Sequence, residues 1–384
     1  MHLAHLALTI LGIALVLSTL PLLLELLVLT LAALFPSRRS APFSASGLQL
    51  VVLVPAHNEE KLIADCLASI AGSAPVFVIA HNCTDQTAAI ASAAGANVVE
   101  LDDDGTGGKG AALHHGFLQA LSAGAQAVLV IDADSTVSPN LIAVVRGAFE
   151  SGSHAAQARY VAANPSASAG TRLQALAMRG VNVVRPRGRA RLGLSCGIFG
   201  NGFALSANTL KHVPYLAQSI VEDLEYHITL VRSGIRVDFL NDATVFGQLP
   251  DNTAAAATQR ARWEGGRTRL RRRLAVRLAA EVLRGRIVLF EPLLDLLSLP
   301  LATVVVLLLL AFFTPARFCA FLGIEIIGLY VLIAALFGGE PLRDLAALLF
   351  SPFYLAFKIA NFGRTRRAAR DDAAWVRTER NDPP

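Results

Sequence analysis

The sequence predicts an α/β protein with a doubly wound, mostly parallel sheet, flanked by N-terminal and C-terminal transmembrane helices. Three observations carry that expectation. Short β-branched apolar runs alternate with helical segments from Leu48 onward. One run, VLVIDADS at residues 128–135, ends in two aspartates one residue apart, and open α/β sheets bind ligands beyond the carboxyl ends of their strands. The 384 residues are 54% hydrophobic, and that hydrophobicity is concentrated at the two ends of the chain.

Residues 1–36 are expected to be a transmembrane anchor. The stretch 5–35 is apolar, with Ser18, Thr19, Pro21, Glu25 and Thr30 among its few interruptions. At about 1.5 Å per residue it exceeds the roughly 30 Å hydrocarbon core, so one tilted helix fits and two crossings do not. A cleaved signal peptide would be shorter and open on Lys or Arg. Arg38 and Arg39 follow the anchor, and the positive-inside rule then places the next domain in the cytoplasm. Residues 37–47, rich in Ser, Pro and Ala, read as a linker.

A catalytic domain is expected over residues 48–258. Residues 48–54 form a strand and 55–58 a turn. The helix that follows spans 59–71 with Asn58 as N-cap and Glu59 and Glu60 in its first turn. The unit repeats as a strand at 76–80, the loop HNCTDQT and a helix near 87–94 that Gly95 ends. A third strand at 97–101 leads through DDDGTGGKG to a helix near 111–122, and the D-x-D strand comes fourth. Ser138 and Pro139 start the next helix as cap and first residue.

Beyond Tyr160 the rhythm loosens. The five arginines of residues 179–191 read either as a Pro/Gly-punctuated loop closing over a phosphate site or as a solvated or membrane-surface face. GIFGNGFALS at 197–206 suits close backbone approach to a flat ligand and equally a plain bulge. Residues 221–233 read as a helix with Glu222 and Asp223 in its first turn, where the dipole favours the carboxylate form of a base or simply rewards acids. Another strand is expected at 236–240.

Residues 259–290 carry ten arginines up to Arg286, with Leu270, Leu274 and Leu278 at steps of four. That is a basic amphipathic helix suited to an anionic leaflet, so membrane lipids are an expected partner. Within 291–362, two segments at 293–313 and 318–337 are each long enough to cross a bilayer, and 345–362 is crossing or interfacial. The charged tail, 363–384, is expected to stay cytoplasmic.

Composition narrows the chemistry. The net charge of +5 comes from arginine clusters, with no zinc-finger spacing or aromatic-interleaved basic stretch, so no nucleic-acid partner is expected. Cys66, Cys83, Cys196 and Cys319 are scattered without C-x-x-C spacing, which fits a reducing compartment, with Cys66 and Cys319 as buried apolar residues. Asp132 and Asp134 form a hard-oxygen pair suited to Mg2+ or Mn2+ that also carries phosphate oxygens, although D-x-D-S is also ordinary turn chemistry.

In combination, VVLVPAHNEE, HNCTDQT, GGKG, DADS, VEDLEYH and QRARW, running from Val51 to Trp263, resemble the family 2 glycosyltransferases. The resemblance is to the membrane-embedded branch that includes cellulose, hyaluronan and poly-N-acetylglucosamine synthases. It implies a GT-A fold and an inverting transfer from a nucleotide-diphosphate sugar to a polysaccharide or glycolipid acceptor. The setting is the cytoplasmic face of the inner (plasma) membrane, in a multi-pass protein. By motif position Pro55, Ala56, His57, Glu59, His81, Asp85, Lys109 and Asp132 would line the nucleotide site, and Asp134 would meet the metal. Asp223, next to Glu222, would be the general base, and Gln259, Arg262 and Trp263 would hold diphosphate and acceptor.

Transfer to a lipid such as a polyprenyl phosphate or ceramide, and a non-catalytic sugar-nucleotide-binding subunit, are the competing expectations. Subunits of a polysaccharide export system are expected partners under the synthase reading. Two departures stand out. Ala80 and His81 occupy positions where many members have a pair of acids, which opens a nucleotide other than uridine, and residues 197–202 lack the aromatic-Cys-Gly form of the processive synthases.

Overall fold

The structure is a computed structural model that describes residues 2–36, 47–70, 72, 74–103, 108–217, 219–250, 253–360 and 363. Most of the expected linker and all but the first residue of the charged tail lie outside the described residues. The described residues form two compact units, one within 2–36, 172–192 and 260–363 and the other within 47–171 and 193–259.

The second unit holds the sheet. Its strands are β1 (Leu50–Ala56), β2 (Val76–His81), β3 (Asn97–Leu101), β4 (Ala127–Val130), β5 (Ser135–Val137), β6 (Ala155–Ala162), β7 (Phe203–Ser206) and β8 (Val237–Gly247), in spatial order β3-β2-β1-β4-β7-β6-β8-β5. The first four are parallel neighbours, joined by right-sized helical crossovers. β4–β7, β6–β7 and β5–β8 are antiparallel, so the sheet is mixed. β8 runs seven residues past the strand expected at 236–240 because it pairs with both β6 and β5.

β1 and β4 are apolar at every position because both faces are covered. Val52, Val54, Leu129 and Ile131 pack on one face with Ile63, Leu67, Leu141 and Val145. Val51, Leu53, Val128 and Val130 pack on the other with Leu113, Phe117, Tyr215 and Tyr226. Each such side chain is worth roughly 1.5–3 kcal/mol in apolar burial. The helix Gly108–Ser122 lies close on β1, and a Cβ at Gly116 would stand 2.4 Å from Leu53 Cδ1. That close seat sets where Lys109, in the helix's first turn, reaches the carboxyl edge of the sheet.

Three expected helix starts move. The helix expected at 59–71 is Ile63–Ile70, because Asn58 turns left-handed (φ 54°) and spends its side chain on Thr84 rather than capping. The helix expected from 111 starts at Gly108. Ser138 does not cap a helix from 139; it exchanges hydrogen bonds with Thr244, and Leu141–Glu150 follows with Asn140 at its N-cap.

In the helical unit, His2–Ala33 and Arg317–Leu336 are each long and apolar enough to cross a membrane. The crossing expected at 293–313 is bent by 72° between Ile287–Leu297 and Leu301–Phe312, where Ser298 and Pro300 leave helical ψ. Residues 345–362 are interrupted too, as Pro341–Ala347, Leu348–Phe350 and Ser351–Ala360. The segment 179–191 is neither loop nor solvated face. It continues the helix Ala169–Arg179 through a π-helical turn at Gly180–Val184 into Arg185–Arg191, with Arg185 and Arg189 buried. Pro186 follows directly on the π-helical turn, where the regular hydrogen-bond ladder is already interrupted and a ring without an N–H is accommodated, and a Cβ at Gly188 would meet the Leu29 backbone at 2.2 Å. Cys319, expected buried, is exposed on the apolar helix Arg317–Leu336.

Candidate active site

β4 pairs antiparallel with β7, matching Val130 with Phe203, so the loop that enters β7 stands beside the residues that leave β4. This topology gathers the site. Gly202 N donates to Val130 O, and the Asn201 side chain accepts from Asp132 N at 3.1 Å and donates to Ser135 Oγ at 2.8 Å. Ser135 Oγ in turn donates to Asp134 Oδ1 at 2.9 Å. Gln157 Nε2 donates to Asn201 O at 2.7 Å, and Phe199 N donates to Gln157 Oε1 at 3.0 Å. The D-x-D pair is therefore fixed by Asn201, backed by Gln157.

Lys109 closes the far side, donating to Asp132 Oδ1 at 2.5 Å and Gly200 O at 2.7 Å. Gly200 has φ +74°, and a Cβ there would lie 3.4 Å from Asp223 Oδ2 and 3.8 Å from Lys109 Nζ. A side chain at Gly200 would be strained and would crowd both charges. Asp223 arrives from the first turn of the helix Glu222–Arg232, and its Oδ1 accepts from Leu224 N at 2.8 Å.

One cation thus faces several carboxylates, and their titration follows. Burial pushes the Glu222 carboxyl up to about 7, the Asp223 charge adds to the rise and Lys109 opposes it. Burial raises Asp223 as well, against the Leu224 N–H and Lys109. Burial disfavours the Lys109 ammonium, but Asp132, Glu222 and Asp223 outweigh it and lift its pKa above the usual lysine value. Beneath the strand end, Cys66 Sγ faces Asp132 O at 3.5 Å, and burial followed by the two aspartates pushes its thiol far up, so it is an inert packing group.

The loops after β1, β2 and β3 are laced together. Asn58 Oδ1 accepts from Thr84 N at 2.7 Å, and Asn82 Oδ1 accepts from Asp103 N at 2.9 Å. Both asparagines have φ near +50°, at 54° and 50°, a conformation their short polar side chains tolerate. His57 Nδ1 meets His81 O at 2.8 Å. Glu59 N donates to Thr87 Oγ1, Glu60 N donates to Asp85 Oδ2 at 3.2 Å, and Gln86 N donates to Glu60 Oε2 at 3.1 Å. Asp85 also accepts from Thr87 N and Oγ1. Burial works against its charge, but those donors hold its pKa below the ordinary range. Asp85 is thereby engaged in shaping the two loops. Pro55 and Ala56 close β1 in register with Ile79 and Ala80.

Gln259 ends the catalytic unit, whereas Arg262 and Trp263, on the same helix Thr253–Leu283, belong to the helical unit. The constellation of the catalytic unit therefore comprises Lys109, Asp132, Asp134, Glu222 and Asp223. Sequence reasoning passed over Asn201, Gln157 and Asp103. GNG flanking Asn201 was the available signal, while Gln157 and Asp103 carry none.

Among the described residues no group of three His, Cys, Asp or Glu side chains is placed to hold a metal by itself. The donor set still suits Mg2+ or Mn2+, because such ions are held through one or two carboxylates with substrate phosphates completing the shell, and Asp134 stands beside Asp132 on one turn.

A mixed sheet with its carboxylates gathered at the β4–β7 junction defines a GT-A-like glycosyltransferase fold. The sequence model of the glycosyltransferase like family 2 matches residues 48–266, more than half of the chain, and the chain belongs to that family. A 93-residue stretch is 40% identical to 4,4'-diaponeurosporenoate glycosyltransferase of Staphylococcus aureus strain MRSA252, covering 23% of this chain and 24% of that protein. The match thus spans about a quarter of the length of that curated relative. Among solved structures, the mannosyltransferase PcManGT from Pyrobaculum calidifontis in complex with GDP-Man and Mn2+ superposes with a TM-score of 0.54 at 18% identity, over 94% of this chain and 97% of its own. That likeness is one of fold.

Proposed function

We propose that this glycosyltransferase transfers one sugar, with inversion, from a nucleotide-diphosphate sugar to a lipid hydroxyl or carboxylate at the cytoplasmic face of the membrane. The carrying observation is Asp223, a carboxylate with raised pKa, held against Gly200 beside Lys109 and Asp132. Inversion by direct displacement needs one base near the attacking oxygen and positive charge near the departing diphosphate, with no second nucleophile. Asp223 takes the acceptor's proton where the acceptor is a hydroxyl. The acceptor oxygen bonds to the anomeric carbon as the bond to the diphosphate breaks. Lys109 and Asp132 orient the donor, with Pro55, Ala56, His57, Glu59, His81 and the Asp85 loop lining the nucleotide. Asp134 and Asp132 would hold Mg2+ or Mn2+, which supplies charge neutralisation on the leaving diphosphate.

Two features support an apolar acceptor: the helices His2–Ala33 and Arg317–Leu336, suited to a membrane, and the relative whose name specifies diaponeurosporenoate. The arginine-rich helix Thr253–Leu283 supports attachment to an anionic leaflet. Polysaccharide synthesis is the second reading, favoured by QRARW at residues 259–263 on that helix. Incubating membranes with radiolabelled NDP-sugars and Mn2+ tests both. A single defined glycolipid, lost in Asp223→Asn, is expected, whereas a polymer ladder would favour the synthase, and undiminished transfer by Asp223→Asn would refute the site.

A further inference from the structure

The loop ahead of the helix Glu222–Arg232 buries an unpaired hydroxyl. Tyr215 is 1% exposed, and its ring is wedged among those of Phe117 at 5.5 Å, Phe203 at 6.2 Å and Tyr226 at 4.5 Å between centroids. Its hydroxyl meets no hydrogen-bond partner among the described residues. The adjacent Tyr226 is satisfied, donating to Val213 O at 2.6 Å. A buried hydroxyl without a partner destabilises the fold, so the Tyr215 oxygen calls for a functional account.

An acceptor short of donors faces this donor without an acceptor. Glu222 and Tyr226 lie four residues apart on one helix, hence on one face, and Tyr215 packs on Tyr226. Among the described residues the Glu222 carboxylate accepts no hydrogen bond beyond that of its own backbone N–H. Burial first, then the Glu222 and Asp223 charges, with Tyr226 and Asp132 behind them, raise the Tyr215 hydroxyl far above the usual tyrosine range. It therefore keeps its proton and serves as a donor, and Glu222 is the foremost carboxylate acting on it. Three aromatic neighbours fix the Tyr215 ring, whereas the Glu222 carboxylate turns on three side-chain bonds, so the movement that joins the two belongs to the glutamate.

We infer that Tyr215 is a positioning residue whose hydroxyl captures the Glu222 carboxylate and so leaves Lys109 to Asp132 and the donor diphosphate. This rests on the donor-site reading above. Lys109 bonds Asp132 and Gly200 O, and Glu222 is the next carboxylate in its field. An ionised Glu222 with no donor of its own is drawn to that ammonium, where it competes with Asp132 and the diphosphate. A neutral hydroxyl gives it a charge-assisted hydrogen bond without engaging the cation. Asp223 has a donor already, in Leu224 N.

Tyr215→Phe, Glu222→Gln and the double variant, each as the full chain in detergent micelles, test the assignment. Thermal unfolding needs no substrate. Burial lifts Glu222 to about 7, so its carboxyl is neutral at about pH 5 and ionised at about pH 9. At the lower pH Tyr215→Phe should be at least as stable as the wild type, because it removes an unpaired buried hydroxyl. At the higher pH it should melt a few degrees below the wild type, because ionised Glu222 has lost its donor. Asp223, Lys109, Asp132 and Tyr226 face these groups in both proteins, so the difference reads the Tyr215 hydroxyl. In the Glu222→Gln background its pH dependence should vanish. A merely structural hydroxyl would give the same difference at both pH values, and that result overturns the inference. At about pH 9 Tyr215→Phe should also raise the NDP-sugar concentration for half-maximal rate by roughly tenfold, the value of one hydrogen bond to a charged group. There kcat should change little, and in Glu222→Gln the substitution should add nothing. An unmoved half-saturation overturns the positioning role. Where the stability difference follows pH as expected but calorimetry with Mn2+ finds binding of none of UDP, GDP, ADP and CDP, the donor-site reading falls while the Tyr215–Glu222 contact stands.

Discussion

The molecule contains two buried clusters of charge, one in each compact unit, and they are built on opposite plans. In the catalytic unit a single lysine, Lys109, faces Asp132, Glu222 and Asp223. In the helical unit Glu25, Glu291 and Asp295 meet Arg185, Arg189 and Arg267. Arg185 pairs with Glu25 and Asp295; Arg189 pairs with Glu25 at 2.9 Å and Glu291 at 2.5 Å; Arg267 reaches Asp295 at 3.0 Å. Three acids and three arginines balance there, five of the six groups buried. The first cluster is short of positive charge and half-open, which suits the proposed reception of a cation and a diphosphate. The second is neutral in sum and closed, as apolar surroundings demand of ionised groups. Imbalance marks chemistry and balance marks scaffolding.

The sharpest way to break this comparison is to neutralise one acid in each cluster. Asp223→Asn should lower turnover by about 10²–10⁴-fold, the usual contribution of a positioned base, while donor affinity stays near the wild-type value. Initial rates beside calorimetric titration of the nucleotide separate the two, and a variant that turns over normally would place the base elsewhere. Glu25→Gln should do the reverse. It leaves Arg185 and Arg189 with excess positive charge in an apolar setting and should cost about 3–5 kcal/mol of stability. Thermal unfolding of the purified protein in micelles should show the loss, with activity per folded molecule retained.

Acidity sharpens the same contrast. On the proposed mechanism deprotonated Asp223 is the reactive form, and burial raises its pKa, so transfer should decline as pH falls, with an acid limb above the ordinary aspartate range. Lys109 opposes that rise and the one at Glu222. Lys109→Gln should therefore move the acid limb of kcat/KM to higher pH, and an unmoved or lowered limb would contradict the cluster's electrostatics. Stability has the opposite sign. Because the folded-state pKa of Glu222 lies above its ordinary 4.5, its contribution is full below about 4.5 and is lost as pH rises through about 7.

Much of the fold was legible because β-branched runs and Gly stops are local signals. β3 spans the expected residues 97–101, and Gly95 with φ +85° ends the preceding helix. The misses share one cause, which is long-range partners overriding local chemistry. Asn58 has the composition of an N-cap, but Thr84 of the next loop captures its side chain. Residues 179–191 look like a basic loop, yet Arg185 finds Glu25 and Asp295 at separations of 160 and 110 residues. In the site, the acids at 132, 134, 222 and 223 and Lys109 were visible as motifs. Of their supports, Asn201 showed only as the centre of GNG and Gln157 not at all, since a single Gln or Asn acquires meaning only once strands cross.

Asn201 gives the smallest and most discriminating test of that last point. Its side chain accepts from Asp132 N and donates to Ser135 Oγ, which holds Asp134, so it fixes both aspartates without touching a reacting atom. Removing it takes the side-chain acceptor from the Asp132 N–H and the donor from Ser135 Oγ, a loss of about 1–3 kcal/mol. Asn201→Ala should consequently raise the Mn2+ and donor concentrations needed for half-maximal rate by roughly tenfold, with kcat much less affected because Asp223 stays in place. Asn201→Asp keeps the acceptor for Asp132 N but loses the donor to Ser135 and adds a charge to a cluster already short of cations. The added negative charge attracts the cation, so this variant should need less Mn2+ than Asn201→Ala while its affinity for the anionic donor stays weakened. An equal fall in kcat and rise in KM for both variants would mean that Asn201 supports the fold at large rather than the D-x-D pair.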